Sequence, residues 1–487
     1  MPDFTWMTLA EAHKGLKAGD FTAVELVQAS LDRIKATEDL NTFISMTEDY
    51  ALEEAKKVDA KIAAGEDIDP LAGIPGSLKD LFNMKGTLTT SGGLMLGNYR
   101  APYDATIVTK MKAVDAAIVG KNNMDECACG VSNETSYYGP VLNPWNKEFV
   151  PGGSSGGSVA AVAAGQVMYA IGTDTGGSIR QPAALSGVVG FKPTYGRVSR
   201  FGANAMASSW DHVGPITRTV EDAALVMNVI AGHDKYDATT PDVEVPDYTA
   251  ELGKSMEGLK IGVPKEFFVD GVDEDVKALV MEAIEKYKEM GATVKEVSLP
   301  LTKYGVAVYY VTTPGELSTN LARLDGVRFG HKPEGEFTDI HEYYKASRGE
   351  GFGDEIKRRI MVGTFVLSAG YADAYYKQAQ RVRTLVIREF EDAFKEVDVL
   401  MAPTSPIAGF KLNEKFNDPL AMYALDMLTI PADAAGIPAI SIPCGFNEQG
   451  LPVGLQIMGP QFEESRVLSV AHAYEQATEW HKKHPEL

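Results

Sequence analysis

Two glycine-serine clusters, Gly152-Gly153-Ser154 and Gly176-Gly177-Ser178, constrain this chain more than any other feature in it. Glycine reaches backbone conformations closed to residues with a Cβ and presents bare N–H groups. Paired glycines ahead of a serine can therefore form a nest of donors for a negative oxygen, and an acyl-transfer nucleophile needs such a nest beside it. Between the clusters, Ser158 to Ala164 reads as a tightly packed helix ending at Gly165. Val167 to Ile171 then reads as a short apolar strand feeding Gly172-Thr173-Asp174-Thr175-Gly176-Gly177-Ser178. Helix and strand return the chain to its starting point, which brings Ser154 and Ser178 together. Either cluster alone reads more simply as a flexible turn, because Gly and Ser are default loop residues. Two clusters around a packed segment, with Arg180-Gln181-Pro182 after them, are harder to account for that way.

A serine hydroxyl is a weak nucleophile at neutral pH and needs a base. The chain has eight histidines, none in either cluster. A lysine serves if burial brings its pKa down from about 10.4 toward neutrality. Lys79 stands in an apolar segment bounded by Gly73, Pro75 and Gly76, an unusual place for a residue rarely buried without a partner. The plain alternative is an edge-strand or snorkelling lysine. Two rival motifs fit less well. Gly152 to Gly156 matches the G-x-S-x-G nucleophile elbow, but that motif needs a strong strand directly before it, and Asn143 to Glu148 is loop-like. Neither cluster is followed by the Lys-Ser/Thr of a phosphate-binding P-loop.

The run GGSSGGS, GTDTGGSIR and the following PTYGRVSR, within residues 151–200, is similar to the signature of the amidase signature family of serine hydrolases. The resemblance implies an α/β fold, a large mixed central sheet covered by helices on both faces. It implies that Lys79 is the base, Ser154 a proton relay with a cis peptide, and Ser178 the nucleophile. The N–H groups of Thr175, Gly176, Gly177 and Ser178 would form the oxyanion hole. Within the family, the chain most resembles, nearly end to end, the glutaminase subunits of tRNA-dependent amidotransferases. That likeness rests on Met124-Asp125-Glu126, Gly196 to Gly202, Leu324 to Arg328, Lys357-Arg358-Arg359-Ile360 and Asp373-Ala374-Tyr375-Tyr376.

This branch implies glutamine as substrate. Arg359, with its neighbour Arg358 as the alternative, would hold the α-carboxylate and Asp426 the α-ammonium, with Tyr309 or Tyr310 near the pocket. It also implies a cytoplasmic heterotrimer acting as a glutamine-hydrolysing carbon–nitrogen ligase. Ammonia would pass to a B subunit that uses ATP and Mg to amidate Glu-tRNA(Gln), and in many members Asp-tRNA(Asn), with a small C subunit bound to both. This chain would hold no metal or cofactor of its own. Two stretches depart from the family pattern: Trp210 and His212 stand where Leu and Gln are expected, and Cys127-Ala128-Cys129 is atypical. The other readings are a stand-alone amidase on another small amide and a catalytically silent assembly subunit. The presence of Lys79, Ser154 and Ser178 counts against the second.

A net charge of −21 argues against a broad phosphate-binding surface, so any nucleic acid contact calls for a local basic patch or a partner. The N-terminal sequence lacks a signal-peptide pattern and no apolar run reaches membrane-spanning length, which makes a soluble cytoplasmic protein the expectation. Three cysteines do not suggest a disulfide framework, and Cys127 and Cys129 read as buried structural thiols rather than half a metal site. His481-Lys482-Lys483-His484 reads as a solvated helix end.

Along the chain, Thr8 with Glu11 and Thr22 with Glu25 have the capping-box pattern, and the second helix places Val24, Val27, Leu31 and Ile34 on one face. A charged helix follows over roughly 49–64. Residues 104–126 read as a helix, a strand from Ala116 to Val119, and a loop from Gly120 to Glu126. Helices at 222–230 and 274–290 and strands at 259–263 and 293–297 give a βαβ rhythm. Residues 300–395 read as an inserted helical layer. Val397 to Met401 reads as a strand, Ile440–Phe446 and Leu451–Met458 as a hairpin, and Leu468 to Trp480 as a closing helix. The expectation is a single domain over 1–487, with N-terminal helices in 1–70 and the catalytic signature in 71–230.

Overall fold

A computed structural model describes residues 4–487; residues 1–3, the start of the region read as N-terminal helices, lie outside the described residues. The two capping boxes form as their spacing predicts. The Thr8 hydroxyl accepts the Glu11 N–H at 3.1 Å while the Glu11 carboxylate accepts the Thr8 N–H at 2.9 Å, opening a helix over Leu9–Ala18. Thr22 and Glu25 do the same at 3.1 and 2.8 Å for Ala23–Ala36. In that second helix the innermost face is Ala23, Leu26, Val27 and Ser30, while Val24, Leu31 and Ile34 are only partly buried. Small residues lead because the backbone approaches closely there: the Ser30 hydroxyl bonds the Gln166 carbonyl, and Ala23 packs against Gly73.

Among the described residues eleven strands form one sheet. They are β1 (Phe43–Met46), β2 (Pro75–Lys79), β3 (Ala117–Asn122), β4 (Tyr169–Asp174), β5 (Val189–Lys192), β6 (His212–Thr217), β7 (Lys260–Pro264), β8 (Thr293–Val297), β9 (Val399–Pro403), β10 (Ala439–Phe446) and β11 (Pro452–Met458). Their order is β1-β3-β2-β4-β6-β5-β10-β11-β9-β7-β8. β2 runs parallel to β3 and β4, and β7 parallel to β8 and β9, whereas the middle of the sheet is antiparallel. Every residue of β2, β3 and β4 is buried, which requires helical cover on both faces. The expected mixed α/β sheet is the observed one. Among the described residues no helix is long and apolar enough to cross a membrane.

The boundaries differ where a charged residue hides inside the sheet. β3 continues through Gly120, Lys121 and Asn122, which the sequence presents as a loop. Lys121 stays in the strand because its ammonium meets the Asp80 carboxylate, the Leu88 carbonyl and the Thr89 hydroxyl, each at 3.1 Å. β4 likewise runs past Ile171 to Asp174, paired residue for residue with β6. The closing helix is Glu464–Gln476, earlier than expected, because the buried Glu464 carboxylate accepts the Thr194 N–H at 3.0 Å and fixes its first turn. The 300–395 region is mainly helical, with helices over Gly305–Leu321, Ile340–Gly351, Asp354–Leu367 and Tyr376–Ala393.

Parallel pairing of β2 with β3 and β4 places three carboxyl ends side by side, with Lys79 opposite Asn122 and Leu78 opposite Ile171. The loops leaving those ends carry Lys79-Asp80, Asn123 to Glu126, and the second glycine cluster. A crevice outside the carboxyl ends of parallel strands is where open α/β sheets place their ligands.

Candidate active site

The two clusters meet. The Ser155 N–H donates to the Ser178 carbonyl at 3.3 Å, and the Gly153 N–H donates to the side chain of Gln181, just past the second cluster, at 3.1 Å. The connecting helix, Gly156–Ala163, is buried at every position. Its small residues make that possible: a Cβ on Gly157 would stand 2.3 Å from the Asn123 carbonyl oxygen. The Gly153–Ser154 peptide is cis, and the Asp125 N–H donates to the Ser154 carbonyl at 3.2 Å. Among the described residues no strand leads directly into Gly152, so the nucleophile-elbow reading of this motif finds no support.

Lys79, the last residue of β2, is fully buried. Its Nζ lies 2.8 Å from Ser154 Oγ, 2.9 Å from Ser155 Oγ and 2.9 Å from Thr173 Oγ1. Burial lowers its pKa to about 7, with the carboxylates of Asp125, Asp174 and Asp211 pulling the other way. The Ser155 hydroxyl already donates to the Thr173 carbonyl at 3.2 Å, so toward Lys79 it can only accept. A neutral amine has two N–H groups and one lone pair. With the N–H groups spent on Ser155 and Thr173, the lone pair faces the Ser154 hydroxyl, a geometry suited to proton abstraction.

The loop holding Ser178 is fixed from several directions. Asp174 accepts the N–H groups of Ile179 and Arg180 at 3.1 and 3.3 Å and the Arg180 guanidinium at 3.0 and 2.9 Å. Burial alone would raise this carboxyl; Arg180 overcomes that and holds it below its ordinary range. Arg180 also reaches Asp433 at 2.6 Å, the Thr429 carbonyl at 3.1 Å and Gln456 at 2.6 Å. Asp211 holds the Thr175 hydroxyl at 2.8 Å, and Thr429 donates to the Gly176 carbonyl at 2.6 Å. Gly177 has φ 138°, and a Cβ there would lie 2.2 Å from Thr429 Oγ1. Among the described residues none accepts from the N–H groups of Thr175, Gly176, Gly177 or Ser178, so these donors can face an incoming oxyanion.

The residues assigned to a substrate pocket divide. Arg359 is 4% exposed, bonded to Glu355 at 2.7 Å, and its guanidinium lies over the Tyr310 and Tyr423 rings at 5.3 and 5.6 Å. Arg358 also pairs with Glu355 but points outward. Both arginines, with Tyr310, Tyr423, Glu355 and Glu126, line a cavity of about 330 Å³. Tyr309 instead packs over Gly176 and edge-on to Trp210 at 5.5 Å. Asp426 is buried near Arg359 and the Tyr310 hydroxyl; burial pushes its carboxyl well up, and Arg359 and Tyr310 oppose this. A further cavity of about 220 Å³ touches Thr173, Asn204 and Asp211.

Of the departures from the family pattern, Trp210 and His212 are both buried. Trp210 carries the Arg383 guanidinium at 4.0 Å from its ring centre. His212 lies with Nδ1 3.1 Å from the Asp174 carbonyl and 3.4 Å from Asp433; burial holds it well below its ordinary pKa, so it is neutral with the proton on Nδ1. Cys129 is buried as expected, but Cys127 is only partly so, and both are free thiols. His484 is exposed, as expected, and stacks on Trp6 at 4.2 Å. Sequence reasoning did not assign Ser155, Thr173 or Asp211 to the site. The first two sat in plain view inside the glycine-serine stretch; nothing local marks Asp211.

A buried lysine against consecutive serines, with free amides beside a third, is an arrangement that can carry out acyl transfer. The family model described as Amidase matches residues 25–468, and the chain belongs to this family, the amidase signature enzymes. It is 53% identical to the A subunit of the glutamyl-tRNA(Gln) amidotransferase of Geobacter sp. (strain M21), over 98% of each chain. It is 54% identical to the protein of the same name from Methylococcus capsulatus, again over 98% of each. The crystal structure of the A subunit of glutamyl-tRNA(Gln) amidotransferase from Thermotoga maritima superposes with a TM-score of 0.82 at 41% identity, covering 98% of this chain and 96% of that one.

Proposed function

We infer that this chain is the glutaminase subunit of a tRNA-dependent amidotransferase. Ser178 attacks the side-chain amide carbonyl of glutamine. Its proton passes through the Ser154 hydroxyl to neutral Lys79 and from there to the leaving nitrogen, so ammonia departs and an ester on Ser178 remains. Water, deprotonated along the same route, hydrolyses that ester to glutamate and restores the serine. The amides of residues 175–178 stabilise the oxyanion in both halves; losing one such donor typically costs about 3 kcal/mol. The observation carrying this reading is the contact of Lys79 with Ser154 inside the fold, taken with full-length likeness to proteins of that name.

In the pocket Arg359 takes the α-carboxylate of glutamine and Asp426 its α-ammonium, while Tyr310 supplies a wall and Tyr309 shapes the oxyanion loop. An ammonium placed against Asp426 favours its ionised form. The ammonia serves a B subunit that uses ATP and Mg to amidate Glu-tRNA(Gln) or Asp-tRNA(Asn), with a C subunit completing a cytoplasmic heterotrimer. A charge of −21 is compatible with tRNA resting on a partner.

The test is ammonia release from glutamine by the purified chain, alone and with B and C partners, with Ser178→Ala as control. Release that depends on Ser178 and rises with partners, ATP and Glu-tRNA is expected. Rapid hydrolysis of other amides with indifference to partners would instead mark a stand-alone amidase. No release under any condition would mark an assembly subunit.

A further inference from the structure

Asp125 and Glu126 are neighbours whose side chains face different parts of the site. Asp125 belongs to the serines: its N–H donates to the Ser154 carbonyl at 3.2 Å, and its carboxylate is held by the Asn133 N–H at 2.9 Å and the Thr135 hydroxyl at 2.7 Å. Glu126 belongs to the pocket. It is 4% exposed, lines the cavity beside Arg359 and Tyr310, and its Oε2 accepts the Gly353 N–H at 2.9 Å across 227 residues of chain. Gly353 is the N-cap of the Asp354–Leu367 helix, which carries Glu355 and Arg359 in its first two turns. As a glycine, Gly353 offers no side-chain cap of its own, so Glu126 supplies an acceptor to one of the helix-end N–H groups.

We propose that Glu126 is a positioning residue for the substrate pocket: its carboxylate ties the Ser154 turn to the helix that aims Arg359. The contacts leave it little freedom. A Cβ on Gly93 would stand 2.9 Å from Glu126 Oε1, and one on Gly353 would stand 2.5 Å from Oε2, so neither neighbouring backbone can carry a larger residue without displacing the carboxyl. Its backbone is fixed as well, with the Glu126 N–H donating to the Thr135 hydroxyl at 3.1 Å. Burial raises the carboxyl to about 7, opposed by the Gly353 N–H and by Lys357 on the same helix; the Cys127 and Cys129 thiols face it from its own turn. A carboxyl retained at that cost of burial, on a pocket wall and at one end of the Arg359 helix, sets the distance between the reacting serines and the group that anchors the substrate. Displacing such an anchor weakens the hold on ground state and transition state alike, which raises KM and leaves kcat.

The inference rests on reading the cavity as the glutamine site, and the test separates the two. Glu126→Gln keeps an oxygen acceptor for Gly353 and Glu126→Ala removes it. With the full chain and its partners, Glu126→Ala should raise KM for glutamine about tenfold with kcat within about twofold, and Glu126→Gln should restore KM to near the parent value. Amide hydrogen exchange over residues 353–359 should quicken in the alanine variant alone. An alanine variant with unchanged KM and unchanged exchange overturns the proposal, as does a fall in kcat at constant KM. If the parent protein releases no ammonia from glutamine, the glutaminase reading fails, and the exchange measurement still decides whether Glu126 holds the helix.

Discussion

At Lys79 three hydroxyls meet two N–H groups and one lone pair, and their other commitments narrow which of them can give up a proton. Ser155 is committed to the Thr173 carbonyl, and with the Thr173 hydroxyl accepting the second N–H the lone pair is left for Ser154. The amine must be neutral to accept. With its pKa lowered by burial to about 7, the neutral fraction grows as pH climbs through that value. We therefore expect kcat/KM for glutamine to rise about tenfold per unit on the acid side and level off above about pH 8. Steady-state rates across that range check it, and a flat profile would remove Lys79 as the base. The sequence exposed Lys79 as an oddity, a lysine in an apolar segment. It did not show Thr173 as the residue that orients the amine, because a threonine in a strand needs no explanation.

The second glycine cluster, as an element, is a turn held open by its surroundings. Asp174 grips its far end, Asp211 its Thr175 hydroxyl, and Thr429 its Gly176 carbonyl. Gly177 combines a φ that side chains rarely adopt with a Cβ position already filled by Thr429. Gly177→Ala must therefore shift the loop, and the amides with it. The expected result is a fall in kcat of about a hundredfold, the loss typical of one oxyanion donor, with a smaller change in KM. Rates with glutamine would show it, and a parent-like kcat would mean that the loop absorbs the methyl group. The composition of this element was fully legible, since paired glycines before a serine call for a donor nest. Its bracing was not, because the braces come from elements far along the chain.

Across the whole molecule, Arg180 joins β4 through Asp174, β11 through Gln456, and the Thr429 to Asp433 segment. All of these groups are buried. Removing the cation while leaving its carboxylates in place is the costly way to break such a network. Arg180→Met should lower unfolding stability by about 3–5 kcal/mol, measured by denaturant titration; an unchanged midpoint would show that the network adds nothing. The local code was sufficient for the capping boxes, the β10–β11 hairpin, the alternation of strands and helices, and the meeting of the two glycine-serine clusters through Ser155 and Ser178, because each depends on residues close in sequence or on backbone freedom that only glycine has. Other features waited for the fold. Lys121 remains in a strand because Asp80 neutralises it, Glu126 reaches Gly353 across 227 residues, and Arg359 rather than Arg358 turns inward. Those outcomes belong to tertiary structure because burial of a charge is decided by what lies opposite it, and sheet register and helix packing alone determine that.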